Sequence, residues 1–323
     1  MISVIIATKN RDAALRDISL PSLLKQDSNN FEVIVWDASD TEDSRLASER
    51  FITHFKEKGV NLKYFQAPRS GLPSQRNDAV RTACGELVFF IDDDCEVSPD
   101  GLRAVIKCFD NFPECMGVGL VVIEISDEKK EKVFFIGKLK SAFYKIFDYK
   151  KKRKVHPSGS YKGMSALPGT AEWLSGGSMA YRRVIFNYMR FNESLEKFGG
   201  YAMAEDVEFS HRVFLRYKTP LIVAEEGFVR HHSAAEGRDR NDIKSIAMFF
   251  YNRYLVMQAA SVRAPLWGRV AFGWNVMRRF IIMTSNCGFL NTKKGFVLAV
   301  QQVLNDKKEK QDSLKMHYKR RPK

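Results

Sequence analysis

The stretch GELVFFIDDDCE, which runs from Gly85 to Glu96, constrains the fold of this chain more than any other. Its apolar run favours β structure, is too short for an ordinary helix and ends in three consecutive carboxylates, which is typical of a buried strand with an acidic tip. On an extended strand Asp92 and Asp94 would point to one side and Asp93 to the other. Two carboxylates on one side form half of a site for Mg²⁺ or Mn²⁺, although a simple acidic turn is the plainer interpretation.

Strands and helices alternate through the first hundred residues. Apolar runs predict strands over Ile2–Thr8, Phe31–Trp36 and Val60–Phe65, and a helical pattern follows each of them. This alternation predicts a mostly parallel sheet with helices on both faces and a ligand site at the carboxyl ends of the strands. Asp37 and Asp92 both fall at such ends, so the sequence predicts a site there.

The residues at these strand ends resemble a known family. SVIIATKNR (residues 3–11), VIVWDASD (33–40), RNDAV (76–80) and GELVFFIDDD (85–94) follow one another as in the nucleotide-binding half of family 2 glycosyltransferases, the inverting GT-A enzymes. Each pattern is weak alone, but their order and spacing make the resemblance specific. It covers about residues 1–235 and implies a Rossmann-like GT-A domain that binds a nucleoside-diphosphate sugar.

The resemblance implies roles for individual residues in a nucleotide-sugar pocket. In this pocket Asp37 would accept a hydrogen bond from the base, and Asp92 would contact the ribose or, through water, the metal. Asp94 would bind Mn²⁺ or Mg²⁺ most directly, with Asp92 and His231 as further ligands. His231 is preferred narrowly to His232, because adjacent strand residues face opposite ways. The nucleotide-sugar contacts implied are Thr8, Asn10, Arg11, Asp37, Arg76, Asp92 and Asp93.

A second half of the site is implied downstream. The segment WLSGG ends in paired glycines, which allow a backbone to approach a ligand closely. Glu205 and Asp206 precede an amphipathic helix, where capping alone would account for one carboxylate. By resemblance Asp206 is the general base, Glu205 is an acceptor or orienting contact, and Trp173, Gly176 and Gly177 contact the acceptor.

The implied reaction moves a sugar to a hydroxyl group with inversion at the anomeric carbon. A UDP-sugar is the expected donor, with dTDP-rhamnose as the alternative, and the acceptor is expected to be a glycan or lipid-linked glycan of the bacterial surface. No Gln-x-x-Arg-Trp motif follows Glu205 and Asp206, which favours single-sugar addition over polymerisation.

The net charge of +14 indicates a polyanionic partner. Lysines and aromatic residues interleave over residues 129–154, a pattern that suits RNA, an anionic membrane surface or a solvated loop. A nucleotidyltransferase and a basic nucleic-acid-binding protein are therefore alternatives. The first usually carries a glycine-rich loop after its first strand, which ATKNRD lacks, and the second leaves the strand-end acids unexplained. We therefore expect no nucleic-acid partner.

The composition changes after residue 235, and residues 236–306 are expected to form a helical appendage to the catalytic domain. Apolar residues recur at helical spacing from Ile243 to Met257. A second apolar stretch, Pro265 to Leu290, contains too many arginines to cross a bilayer. It fits either a helix lying in a membrane interface or an appendage packed on the core or on a second subunit. Residues 307–323 are expected to be a basic, disordered tail.

The cysteines and the first residues suggest a cellular location. The five cysteines form no Cys-x-x-Cys pair, which favours reduced thiols over disulfides or zinc. No signal peptide is apparent at the start. We therefore expect a cytoplasmic protein, and the basic, aromatic-rich regions suggest peripheral association with the inner face of the plasma membrane.

Overall fold

The computed structural model describes residues 1–125, 153–162, 167–199, 201–232 and 242–319, with backbone alone beyond residue 310. The lysine-rich aromatic segment predicted at residues 129–154 lies outside the described residues, apart from its last two.

Four parallel strands form the first half of a single sheet, as the alternating pattern predicts. β-Branched and aromatic residues fill them, and most of their side chains are buried because helices cover both faces. Their order in space is β3-β2-β1-β4. The strands are β1 (Ile2–Thr8), β2 (Phe31–Asp37), β3 (Asn61–Gln66) and β4 (Leu87–Asp92).

The sheet continues beyond β4 in the order β8-β6-β9-β5, with β7 paired to β9. β8 runs antiparallel to β4 and β6, whereas β6 and β9 are parallel. The added strands are β5 (Cys95–Val97), β6 (Gly117–Ile125), β7 (Gly169–Ala171), β8 (Met179–Arg182) and β9 (Leu221–His232). The mixed, mostly parallel sheet flanked by helices confirms the predicted GT-A fold class.

β9 is long, although Glu225, Glu226 and Gly227 divide its apolar residues into what looks like two short strands. It is one strand whose register against β6 shifts between Gly119 and Val121. Gly227 has a φ of 73°, a left-handed conformation that favours glycine. The apparent gap between two strands is therefore an irregularity within one strand.

The helices follow the predicted pattern, and the segment from α1 to α2 is continuous, with a π-helical turn at Leu15–Ser19. Short 3₁₀ turns occur at Arg183–Asn187, Glu193–Glu196 and Ser261–Arg263. The α-helices are α1 (Asp12–Ala14), α2 (Leu20–Leu24), α3 (Asp43–Glu57), α4 (Leu72–Val80), α5 (Gly101–Asn111), α6 (Glu205–Tyr217), α7 (Ile243–Ala260), α8 (Pro265–Cys287) and α9 (Phe289–Lys319).

The prediction of a disordered tail from residue 307 is wrong as far as Lys319, because α9 continues to that residue. The extension contains five lysines and one each of Glu, Gln, Leu and Met, which all favour helix, and the first proline after it is Pro322. Basic composition was therefore a poor guide to disorder.

Two apolar cores lie on the two faces of the sheet. Side chains alternate along β4, so Phe89 enters one core and Phe90 the other. α7 packs on α6 where Val256 meets Val207, and α8 and α9 cover α7 where Phe280 and Phe296 pack against Phe250. No helix within the described ranges is long and apolar enough to cross a membrane.

His211 on α6 is buried beside Glu172 and Arg263. Burial, followed by the Arg263 charge, lowers the pKa of His211 to about 4. The unfolded chain therefore takes up a proton as the pH falls below about 6.5, while the folded protein stays neutral until about 4.

We predict that His211 lowers the free energy of unfolding as the pH falls from 7 to 5. Relative to His211→Gln, which has no such proton to bind, the wild-type protein should lose about 2 kcal/mol more unfolding free energy over this interval. Urea unfolding at both pH values measures the difference. Equal losses in the two proteins would contradict the prediction.

Candidate active site

A cavity of about 440 Å³ opens beside the acidic tip of β4. Its wall combines the end of β4, the paired glycines before β8, the start of α6 and the end of β9. The side chains and glycines that line it are Leu72, Asp92, Val122, Glu124, Tyr161, Trp173, Ser175, Gly176, Gly177, Tyr201, Met203, Ala204, Glu205, Asp206, Val207 and His231. Asp92 and His231 from the predicted metal group therefore meet Glu205 and Asp206 at one cavity.

The three acids point in different directions as the sequence predicts, with Asp93 directed away from Asp92 and Asp94, although only Asp92 belongs to the strand. Asp93 and Asp94 form the turn into β5. The ligand atoms of Asp92, Asp94, Cys95 and His231 all lie within 4.8 Å of one another. Asp93 turns the other way and accepts a 2.6 Å hydrogen bond from Thr8 Oγ1.

His231 reaches this cluster through strand pairing. β5 and β9 run antiparallel with Cys95 opposite His231, which carries the imidazole to the acidic turn. Its Nε2 lies 3.2 Å from Asp94 Oδ1, and its Nδ1 lies 2.9 Å from a carboxylate oxygen of Glu124. His232 faces the other way, where its Nε2 lies 3.1 Å from Glu96. The geometry thus favours His231 over His232 as the neighbour of the acids.

Two cationic groups stabilise the Asp94 carboxylate. Burial opposes ionisation, but the neighbouring His231 and Arg11 hold the pKa of Asp94 at about 2. Burial likewise disfavours charged His231, yet Asp94 and Glu124 raise the pKa of His231 to about 10. Arg11 Nη2 lies 2.7 Å from Asp94 Oδ2, so Arg11 contacts the acidic cluster directly.

The donor set of this cluster fits a divalent cation. Two carboxylates and an imidazole suit Mn²⁺ or Mg²⁺, which also accept oxygen ligands from a phosphate. Burial and then the charges of Asp92 and Asp94 raise the pKa of the Cys95 thiol well above its usual value. Sulfur is also a softer donor than Mg²⁺ and Mn²⁺ prefer, so Asp92, Asp94 and His231 are the residues suited to hold the ion, with His231 releasing its proton when the ion binds.

Arg76 bridges the acidic end of β4 and the start of α6. Its guanidinium is almost wholly buried and donates from Nη1 to Glu205 at 2.6 Å and from Nη2 to Asp92 at 3.0 Å. Nη2 also donates to the carbonyl oxygen of Gly176 at 3.1 Å. Arg76 does not line the cavity, and its place in the nucleotide pocket stays a prediction.

Asp206 lies at the start of α6 with both oxygens oriented by backbone groups. Oδ2 accepts from the Gly176 N–H at 2.9 Å, and Oδ1 accepts from the Val207 N–H at 2.7 Å. A side chain at Gly176 would come within 3.1 Å of Glu205, so glycine permits this close approach. The backbone therefore fixes how the Asp206 carboxylate faces the cavity.

Burial changes the acidity of this carboxylate pair. It raises the pKa of Glu205 to about 8, with the charge of Asp206 adding to the effect. Burial also raises the pKa of Asp206, although the N–H groups of Gly176 and Val207 oppose the shift. A carboxylate with a raised pKa is a better proton acceptor, as a general base requires.

The remaining predicted nucleotide contacts lie at the carboxyl ends of β1 and β2. Asp37 is fully buried, where it accepts hydrogen bonds from the Ser39 N–H at 2.8 Å and the Tyr64 hydroxyl at 2.7 Å. Asn10 has a left-handed backbone and exchanges hydrogen bonds with Asp40. These groups form a polar rim next to the acidic turn.

Several residues that line the cavity were not predicted from the sequence. Glu124 read as part of an ordinary strand, and only pairing with β9 shows that it contacts His231. Tyr161, Tyr201 and Met203 lie in loops without periodicity, so no sequence pattern indicated them. Trp173, Gly176 and Gly177, predicted to contact the acceptor, do line the cavity.

Comparisons with known proteins agree with the fold. The family model described as Glycosyl transferase family 2 matches residues 3–188. The chain is 25% identical over 162 residues to GalNAc(5)-diNAcBac-PP-undecaprenol beta-1,3-glucosyltransferase of Campylobacter jejuni, covering 45% of this chain and 51% of that protein. It is 33% identical over 107 residues to the putative colanic acid biosynthesis glycosyl transferase WcaA of Escherichia coli, covering 33% of this chain and 37% of that one. The chain thus spans about half or less of these relatives.

Solved structures share the fold across most of the chain. The mannosyltransferase PcManGT from Pyrobaculum calidifontis, in complex with GDP-Man and Mn²⁺, superposes with a TM-score of 0.54 at 14% identity, covering 94% of this chain and 87% of that one. TarS residues 1–349 from S. aureus, in complex with UDP-GlcNAc, gives a TM-score of 0.50 at 16% identity, covering 93% and 92%. Neither alternative, nucleotidyltransferase or nucleic-acid-binding protein, is favoured by these matches.

We predict that His231→Ala weakens Mn²⁺ binding by about tenfold or more, because it removes a ligand candidate, whereas His232→Ala leaves it nearly unchanged. Electron paramagnetic resonance of free Mn²⁺ during titration measures both. The two variants remove the same side chain from neighbouring positions, so equal affinities would contradict the assignment.

Proposed function

Because this chain belongs to glycosyl transferase family 2, we propose that it is a metal-dependent, inverting enzyme that transfers one sugar from a nucleoside-diphosphate sugar to a hydroxyl group. The observation that carries this proposal is the meeting of Asp92 and His231 with Asp206 at a single cavity. Asp92 and His231 are suited to hold a cation beside the leaving diphosphate. Asp206 is suited to act as the base for the acceptor hydroxyl.

In this proposal Asp92, Asp94 and His231 hold Mn²⁺ or Mg²⁺. When bound, the cation supplies electrostatic stabilisation of the negative charge that develops on the departing diphosphate. Arg11, which already contacts Asp94, adds a fixed positive charge on the same side of the site. The diphosphate end of the donor is therefore expected between the acidic turn and the start of α1.

Asp206 removes the proton from the acceptor hydroxyl as that oxygen attacks the sugar. Its raised pKa and its two backbone hydrogen bonds support this role, which is typically worth about 10²–10⁴-fold in rate. A single displacement with one base inverts the anomeric carbon and needs no covalent intermediate. Glu205, held by Arg76, orients the acceptor side, where Trp173 and the paired glycines contact the acceptor.

The site and the relatives support a choice of donor and acceptor to test. Asp37, held by Ser39 and Tyr64 at the end of β2, lies where the base is expected. A UDP-sugar is the first donor to test and dTDP-rhamnose the second. The Campylobacter relative is named for an undecaprenol-linked acceptor, and we propose a glycan or lipid-linked glycan acceptor in bacterial surface glycan synthesis.

We also propose a cytoplasmic location. All five cysteines lie within the described residues and none forms a disulfide. Three of them are buried and two are accessible, which suits a reducing compartment.

We predict that Asp206→Asn lowers turnover by about 10²-fold or more while UDP binding stays within about twofold, because the variant loses a base and keeps the donor pocket. The assay is a screen of nucleotide sugars for release of nucleoside diphosphate, followed by comparison of variants with the best donor.

Glu208→Gln is the matched control. Glu208 is a buried carboxylate on the same helix, but it pairs with Arg212 and does not line the cavity. Wild-type turnover by Asp206→Asn would remove Asp206 from the role of base, and an equal loss in Glu208→Gln would point to damage to α6 instead.

A further inference from the structure

The C-terminal helices carry an unusual charge distribution. Between Asp242 and Asp306 the sequence contains no acidic residue, although all of α7 and α8 and half of α9 lie within it. Every charged side chain in this interval is therefore cationic. They are Lys244, Arg253, Arg263, Arg269, Arg278, Arg279, Lys293 and Lys294.

α8 exposes an apolar face along most of its length. Leu266, Val270, Met277 and Ile281 recur at intervals of four, seven and four residues, which places them on one side of a helix. All four are exposed, Leu266 by 79% and Ile281 by 63%. The opposite side packs on the protein through Gly268, Ala271 and Asn275.

The start of α9 adds two more exposed apolar residues. Phe289 and Leu290, exposed by 60% and 61%, begin that helix just after α8 ends at Cys287. One helical turn later Lys293 and Lys294 are exposed. We call the exposed apolar residues of α8 and the first turns of α9, with their flanking lysines and Arg269, the α8–α9 face.

We propose that the α8–α9 face binds the surface of a bilayer that contains anionic phospholipid. Exposed aliphatic and aromatic side chains would enter the boundary between headgroups and acyl chains, while lysine and arginine contact lipid phosphates. Trp267, at the start of α8 and 43% exposed, suits the headgroup level. This inference does not depend on the proposed reaction.

The charges favour lipid over a second copy of the chain as the occupant. An isologous dimer through this face would bring cationic surfaces together without any acid from this interval to pair them. An anionic bilayer supplies the missing negative charge and also covers the apolar side chains. Large exposed apolar patches of this kind mark interaction sites rather than ordinary surface.

The helices connect this face to the candidate active site. α8 and α9 pack on α7, and α7 packs on α6, which carries Asp206. A protein bound to a bilayer through the α8–α9 face would therefore hold the cavity at a fixed orientation two helix layers from the lipid.

The test is flotation of the full chain with vesicles of phosphatidylcholine and phosphatidylglycerol, without any nucleotide sugar. We expect binding at low salt, binding weakened by about tenfold or more in high salt, and little binding to pure phosphatidylcholine. The double substitution Ile281→Glu, Phe289→Glu should reduce binding to the mixed vesicles by about tenfold or more, because it places acids in the apolar layer.

Leu46→Glu is the control, since Leu46 on α3 is an apolar residue 44% exposed elsewhere on the surface. It should bind vesicles like the wild type. The proposal is overturned by an absence of binding to mixed vesicles at low salt, or by equal losses in the control. It is also overturned if light scattering shows a dimer that the double substitution abolishes while vesicle binding persists. Turnover of each variant, measured without vesicles, separates this result from the fate of the proposed reaction.

Discussion

The buried Arg76 guanidinium is the interaction on which the candidate site depends. Asp92 is one of the residues suited to hold a cation, and Glu205 is one of the two acids at the start of α6. Without a positive charge between them, these two carboxylates would repel each other. Arg76 supplies that charge and also donates to the Gly176 carbonyl. A buried cation paired with two acids costs desolvation, but removing it would leave uncompensated buried charge, which is strongly destabilising.

The parallel half of the fold could be predicted because its pattern is local. Continuous apolar runs such as the one in β4 indicate strands buried on both faces, and the acids after them fall at the end of the sheet where ligands bind. The approach of Asp206 to Asp92 followed from family resemblance rather than periodicity, since about a hundred residues separate them in the sequence. The structure brings both to one cavity.

The parts that sequence reasoning missed depend on partners distant in the chain. The contacts of Arg76 could not be predicted because nothing local shows that its nearest acceptors are Asp92 and Glu205. Glu124 looked like an ordinary strand residue because its proximity to His231 arises from the pairing of β6 with β9. The helical continuation of α9 was missed because charge outweighed helix propensity in the prediction.

The irregular pairing of β6 and β9 determines which imidazole reaches the acids. Residues 224–227 of β9 lie opposite the single residue Leu120 of β6, and regular pairing resumes with Val121 opposite Phe228. Side chains on a strand alternate between faces, so a shift of the last segment by one position would exchange His231 and His232. Because both positions carry histidine, such a shift would still present an imidazole to Asp94, so the paired histidines preserve this donor group against a one-residue change in the length of the excursion.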